Sequence, residues 1–206
     1  PSAAITAEGH ERRWALNHLS PLLLSLELLP LMKAAAPARI VNVNSDSHAY
    51  GSVDLTEMRD APRFRGLKAY ANAKLASMMA TFALARRLEG TGVTVNCLHP
   101  GFVSTGIGKE MHGALRFLQN VVLEPFRLSA EKGALTTLHL ACAPELETVT
   151  GGYFVKCRQR PPACAIARDV AAQERVWEAG LEAVGGMAGT SLPEIRRGQA
   201  AAMPEA

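Results

Sequence analysis

Tyr70 and Lys74 stand four positions apart in the run Tyr70-Ala71-Asn72-Ala73-Lys74. On a helix this spacing puts a phenol and an ammonium on one face, a few ångströms apart. A free tyrosine titrates near pH ~10, too high for easy proton exchange at neutral pH. A neighbouring Lys⁺ favours the tyrosinate and lowers that value, which makes an acid/base catalyst of the pair. Alone the pair is weak, since a Tyr and a Lys on a helix surface are usually solvated.

The elements around the pair change that weight. Arg39-Ile40-Val41-Asn42-Val43 is a β-branched run that predicts a buried strand and delivers Ser45 at its carboxyl end. Gly92-Val93-Thr94-Val95-Asn96-Cys97-Leu98 predicts a second strand, stopped by His99-Pro100-Gly101. Open α/β sheets bind ligands at the carboxyl ends of their strands. A hydroxyl, a Tyr/Lys helix and a Pro-Gly turn are therefore expected to converge on one sheet edge.

Residues 8–34 read as a long apolar helix, interrupted by Pro21 and stopped near Pro30. A polar loop follows at 51–68, then a strong helix at 69–89 closed by Gly90. Met111, Leu115, Leu118 and Val122 recur at helical spacing. A helix from Lys132 to Cys142 takes Ser129 as its cap, Gly152-Tyr153-Phe154-Val155 makes a third strand, and 168–184 a last helix. Strands alternating with helices predict an α/β fold, the C-terminal part of a doubly wound parallel sheet of about three strands. Residues 1–184 make one domain, and the Gly/Ala/Pro-rich stretch 185–206 is expected to be a disordered tail.

The chain has 206 residues, 48% of them hydrophobic, enough to bury a core. Its net charge of +3 is spread without a basic stripe, so nucleic acid is not an expected partner. Cys97, Cys142, Cys157 and Cys164 show neither metal-ligand spacing nor disulfide density, so no metal is expected and the compartment is expected to be reducing. The uncharged stretch from Trp14 to Leu26 is too short to span a bilayer, and no signal peptide is visible, so a cytoplasmic location is expected. His48 and His99 lack metal-ligand spacing and are expected to be hydrogen-bonded structural residues.

In this order Ser45, the Tyr70/Lys74 helix and Pro100-Gly101 resemble the short-chain dehydrogenase/reductase family, and within it the retinol dehydrogenase-like members. The resemblance runs from about Gly9 to Leu181 and is closest from Arg86 to Gly101. It implies NAD(P)-dependent interconversion of an alcohol and a ketone or aldehyde, with NADP or NAD as cofactor and a lipophilic small molecule as substrate. Tyr70 would be the general acid or base, and Lys74 would hold the nicotinamide ribose. Ser45 would bond the substrate oxygen, and Asn17 would hold a water linking Lys74 to solvent. Pro100, Gly101, Val103 and Thr105 would lie along the nicotinamide end. The segment at 111–122 would cover the substrate, and helices 8–34 and 69–89 would serve a possible homodimer.

The sequence departs from that family in three places. Asn44 stands where the subgroup has the first of two serines, leaving Ser45 as the catalytic hydroxyl and Ser47 as a competitor. Pro21 has no N–H for the carbonyl of Asn17, so it either frees that carbonyl for the relay water or breaks the helix and displaces Asn17. The opening strand, Gly-rich turn and helix that cradle the cofactor's phosphates have no counterpart, nor has the Asn-Asn-Ala-Gly motif. A truncated, non-catalytic binding or dimerisation fragment is therefore the rival reading.

Overall fold

The computed structural model describes residues 4–53, 66–103 and 128–187. The first long element, α1 (Arg12–Ala34), is one continuous helix of 23 residues. Glu11 caps it, its carboxylate accepting the N–H groups of Arg13 and Trp14 at 2.8 and 2.9 Å. A π-helical turn occupies Ala15–Leu19, where the Ser20 N–H and hydroxyl both bond the Ala15 carbonyl. Pro21 follows in the first turn of the next α-helical stretch, where a missing N–H does least harm. Neither proline stops the helix: it passes Pro30 and ends at Ala34. Burial of Leu19, Leu22, Leu26 and Leu29 in the core outweighs the cost of an interior proline, about 3 kcal/mol.

This helix is long and apolar enough to cross a membrane, longer than the stretch from Trp14 to Leu26 suggests. However, its inner leucines are packed into the protein, while Leu16, Leu24, Leu28 and Leu31 face outward.

Strand β1 (Ala38–Val43) runs parallel to β2 (Val93–His99), with Ala38 opposite Val93 and Val43 opposite Leu98. The next strand, β3 (Tyr153–Val155), is also parallel to β2, pairing Cys97 with Tyr153. A fourth, β4 (Arg158–Gln159), folds back antiparallel on β3 through Lys156 and Cys157, both at positive φ. Among the described residues the sheet order is β1-β2-β3-β4, one strand more than the sequence predicts. Two residues are too short a run to show periodicity.

Central β2 sorts its side chains by the two-residue period of a strand. Val93, Val95 and Cys97 join α1, α2 (Gly66–Arg87) and α4 (Val170–Met187) in the main core. Leu98 faces the other layer, where Leu140 of α3 (Ala130–Cys142), Leu146 and Phe154 make a second cluster. Ser129 caps α3, as expected, by accepting the Lys132 N–H.

Residues 71–85 of α2 are all buried by their own chain. On its far side, Glu174 of α4 pairs with Arg86 at 2.7 Å and with Arg87, and the Arg87 guanidinium lies over Trp177. The ends of α2 are more open: Leu67 is exposed, and Tyr70, Arg86 and Arg87 are half-buried. The last helix runs through Met187, past the expected boundary at 184, and residues 188–206 lie outside the described ones.

Candidate active site

β1 ends at Val43, and the carbonyl of that residue accepts a hydrogen bond from Lys74 Nζ at 3.0 Å. The ammonium stands 5.7 Å from the centroid of the Tyr70 ring, one turn earlier on α2. Lys74 is buried, and desolvation lowers its pKa from the usual lysine range. An ammonium has three N–H donors, and the Val43 carbonyl takes one. The phenol and the ammonium share one helix face, as the spacing of Tyr70 and Lys74 predicts, and the buried cation sits against a strand end.

Asn44 builds the junction. It is buried; its Nδ2 donates to the Lys74 carbonyl at 3.0 Å and its Oδ1 accepts the Ser45 N–H at 2.8 Å. Ser45 then caps a 3-10 turn at Asp46–Tyr50. Its Oγ accepts the Ser47 N–H at 3.2 Å and the Ser47 hydroxyl at 2.7 Å. A hydroxyl has two acceptor sites and one donor, so Ser45 keeps its own proton to donate. Ser47 thus turns both its N–H and its hydroxyl onto Ser45.

Further ties hold this turn to α2 and to the chain beyond β4. Asn72, inside the Tyr70–Lys74 run, accepts the Ser52 N–H at 2.8 Å. Gly51 lies so close to α2 that an added Cβ would fall 2.8 Å from the Ala71 carbonyl oxygen. His48 is buried; its Nδ1 donates to the Ser45 carbonyl at 2.8 Å and its Nε2 accepts the Ala163 N–H at 3.2 Å. This arrangement fixes one neutral tautomer. Both His48 and His99 are hydrogen-bonded within the protein, as expected.

At the end of β2, Gly101 takes φ +89° and an added Cβ would lie 2.6 Å from Leu128 Cδ1. Beyond it, Val103 forms a parallel bridge to Leu128, whose N–H donates to the Phe102 carbonyl at 2.7 Å. Pro100 and Gly101 thus stand at the same sheet edge as Ser45, with Val103 two residues further along the chain. Thr105 and the segment 111–122 lie outside the described residues.

Asn17 lies in the π-helical turn, which packs on α2. Its side chain turns back along its own helix, Nδ2 donating to the Arg13 carbonyl at 2.9 Å. Pro21 withholds the N–H that the Asn17 carbonyl would receive in an α-helix. The helix is not broken there, so the breaking alternative is corrected.

The short chain dehydrogenase family model matches residues 1–115 of the chain. The chain is 39% identical over 175 residues to retinol dehydrogenase 14 of Mus musculus, covering 84% of itself and 52% of that protein. With retinol dehydrogenase 12 of Homo sapiens it shares 38% identity over 180 residues, covering 87% and 56%. It spans about half the length of these relatives. Among solved structures it superposes on an uncharacterised protein of Mycobacterium paratuberculosis with a TM-score of 0.66 at 24% identity. That alignment covers 90% of this chain and 62% of the other, and speaks for the fold alone. The chain belongs to the short chain dehydrogenase family. Within it, the chain is retinol dehydrogenase-like.

Proposed function

We propose that this chain is the catalytic portion of a nicotinamide-dependent oxidoreductase that interconverts a lipophilic alcohol and its ketone or aldehyde. The observation that carries the reading is the Lys74 ammonium 5.7 Å from the Tyr70 ring, beside a strand end that delivers Ser45.

In reduction, the Ser45 hydroxyl donates to the substrate oxygen while the Tyr70 phenol hands it a proton. In oxidation, Tyr70 takes the proton back. Lys74 stabilises the phenolate while the proton is away. The chain of donors from Ser47 through Ser45 strengthens the bond to the substrate oxygen, because hydrogen bonds in series polarise one another. Asn17 serves as the fourth member, its carbonyl left open by Pro21 to hold a water on the path to Lys74.

The donor set suits the nicotinamide end of a dinucleotide, NADP or NAD. Lys74 has N–H donors left for ribose hydroxyls, and the turn Pro100-Gly101 with Val103 lies along the same edge. When bound, the cofactor supplies or accepts the hydride. The apolar residues at 111–122 and the relatives named retinol dehydrogenase support a lipophilic substrate. A homodimer would use the helices at 8–34 and 69–89, the first of which turns Leu16, Leu24, Leu28 and Leu31 outward.

The test is a screen of short and long apolar aldehydes against charged sugars, with NADPH and NADH, using the full-length protein. Preference for the long apolar aldehydes is expected. Preference for small charged substrates would overturn the substrate reading.

A further inference from the structure

A carboxylate from the turn after β1, an imidazole from the end of β2 and a phenol from the start of β3 meet beside Ser45. Asp46 follows Ser45 directly, and its Oδ1 accepts the Tyr153 hydroxyl at 2.6 Å. Its Oδ2 lies 3.1 Å from His99 Nε2, while its backbone N–H donates to His99 Nδ1 at 3.3 Å. A ring nitrogen that accepts carries no proton, so His99 is the neutral tautomer with its hydrogen on Nε2, aimed at the carboxylate. Burial lowers the His99 pKa, against the pull of Asp46 and with a smaller push from His48. Burial, then Asp46, raises the Tyr153 pKa, so the phenol keeps the proton it donates.

The Asp46 side chain is 62% exposed, and exposed pairs add little to stability. What the contacts do is geometric. Asp46 opens the 3-10 turn that follows β1, His99 ends β2 and Tyr153 begins β3. One carboxylate therefore ties the turn after β1 to the end of β2 and the start of β3, and the first two of these carry Ser45 and Pro100-Gly101.

We propose that Asp46 is a positioning residue which, through Tyr153 and His99, fixes Ser45 relative to the Pro100-Gly101 turn. The proposal rests on the catalytic reading of Ser45 and Tyr70. A misplacement of about 1 Å at a reacting group costs up to about 100-fold in rate, so a tie of this kind acts on turnover.

The test compares Asp46→Ala, Asp46→Asn and Tyr153→Phe in the full-length protein, with Tyr70→Phe as control. Asp46→Ala is expected to lower kcat about 10- to 100-fold. Both KM values and the melting temperature should stay near wild type, because the bond shapes the transition state rather than uniform binding. Asp46→Asn, which still accepts from Tyr153, should recover part of the loss. Adding Tyr153→Phe to Asp46→Ala should cost nothing more, since both cut one tie. Wild-type kcat in Asp46→Ala, or a loss confined to KM or melting temperature, overturns the proposal. Tyr153→Phe, one oxygen smaller, carries the same test if the alanine variant does not fold. A fully active Tyr70→Phe would sink the catalytic reading itself, whereas an inactive Tyr70→Phe beside a fully active Asp46→Ala would sink the Asp46 assignment alone.

Discussion

The buried side chain of Asn44 donates to the main-chain carbonyl of Lys74 at 3.0 Å, across 30 positions of sequence. With its other end it accepts the N–H of Ser45, so one amide sets the strand-end hydroxyl against the lysine helix. Asn44→Ala removes the side-chain partner of the buried Lys74 carbonyl and of the part-buried Ser45 N–H. It should cost about 1–3 kcal/mol of stability and lower turnover together. Denaturant unfolding and steady-state kinetics check this, and an unchanged midpoint with unchanged kcat would contradict it.

Ser45→Ala removes the proposed donor to the substrate oxygen, whereas Ser47→Ala removes only the hydroxyl behind it. The first should cost about 100-fold or more in kcat, the range of a lost oxyanion donor. The second should cost far less. Reversal of that order, measured under saturating cofactor, would place the catalytic hydroxyl at Ser47.

Much of this arrangement is legible in the sequence, and the limit falls at contacts between distant residues. The β-branched runs ending in Ser45 and His99 announce strands, and the Tyr70–Lys74 spacing announces one helix face. Nothing local shows that Asn44 meets Lys74, that Asn72 holds Ser52, or that Asp46 meets Tyr153 across 107 positions. A polar residue directly after a β-branched run, as Asn44 is, was the available signal; the run itself is only half-buried, with Ile40 alone fully inside and Val43 exposed. Pro30 misleads because local helix chemistry cannot see the core that holds Leu26 and Leu29. The π-helical turn is equally hidden, since Ala15–Leu19 has ordinary helical composition.

His18 is wholly enclosed against Trp14, and burial pushes its pKa down to about 3. An unfolded histidine titrates near pH ~6.5, so the unfolded chain binds more protons between these values. This group's contribution is fully present above the unfolded pKa and is lost as pH falls toward 3, by at most about 1.4 kcal/mol per pH unit. His18→Leu should flatten the pH dependence of stability over that window. Parallel slopes in urea titrations of the two proteins would refute it.

Gly101 holds φ +89° with Leu128 against its open side. Gly101→Ala should destabilise by about 1–3 kcal/mol, from backbone strain and the clash together. Adding Leu128→Ala should relieve the clash and leave the strain. A double variant less stable than the sum of the singles would show that Leu128 is not what the new methyl meets.

Among the described residues, β1 pairs with β2 alone, and Val43 on it is 49% exposed. An open strand edge beside the outward leucines of α1 invites association. Residues 1–206 expressed by themselves should self-associate on size-exclusion chromatography, and Val43→Lys should reduce this. A monomeric parent chain at high concentration would contradict it.

The most direct measurement is single-turnover reduction of a long apolar aldehyde by the full-length protein and its Tyr70→Phe variant, with cofactor affinity read alongside. Removing the phenolic oxygen should slow the reaction at least ~10²-fold, the contribution of a general acid, and leave the affinity nearly unchanged. Wild-type turnover in Tyr70→Phe would show that the proton comes from elsewhere and that the Tyr70–Lys74 pair is not the catalytic centre.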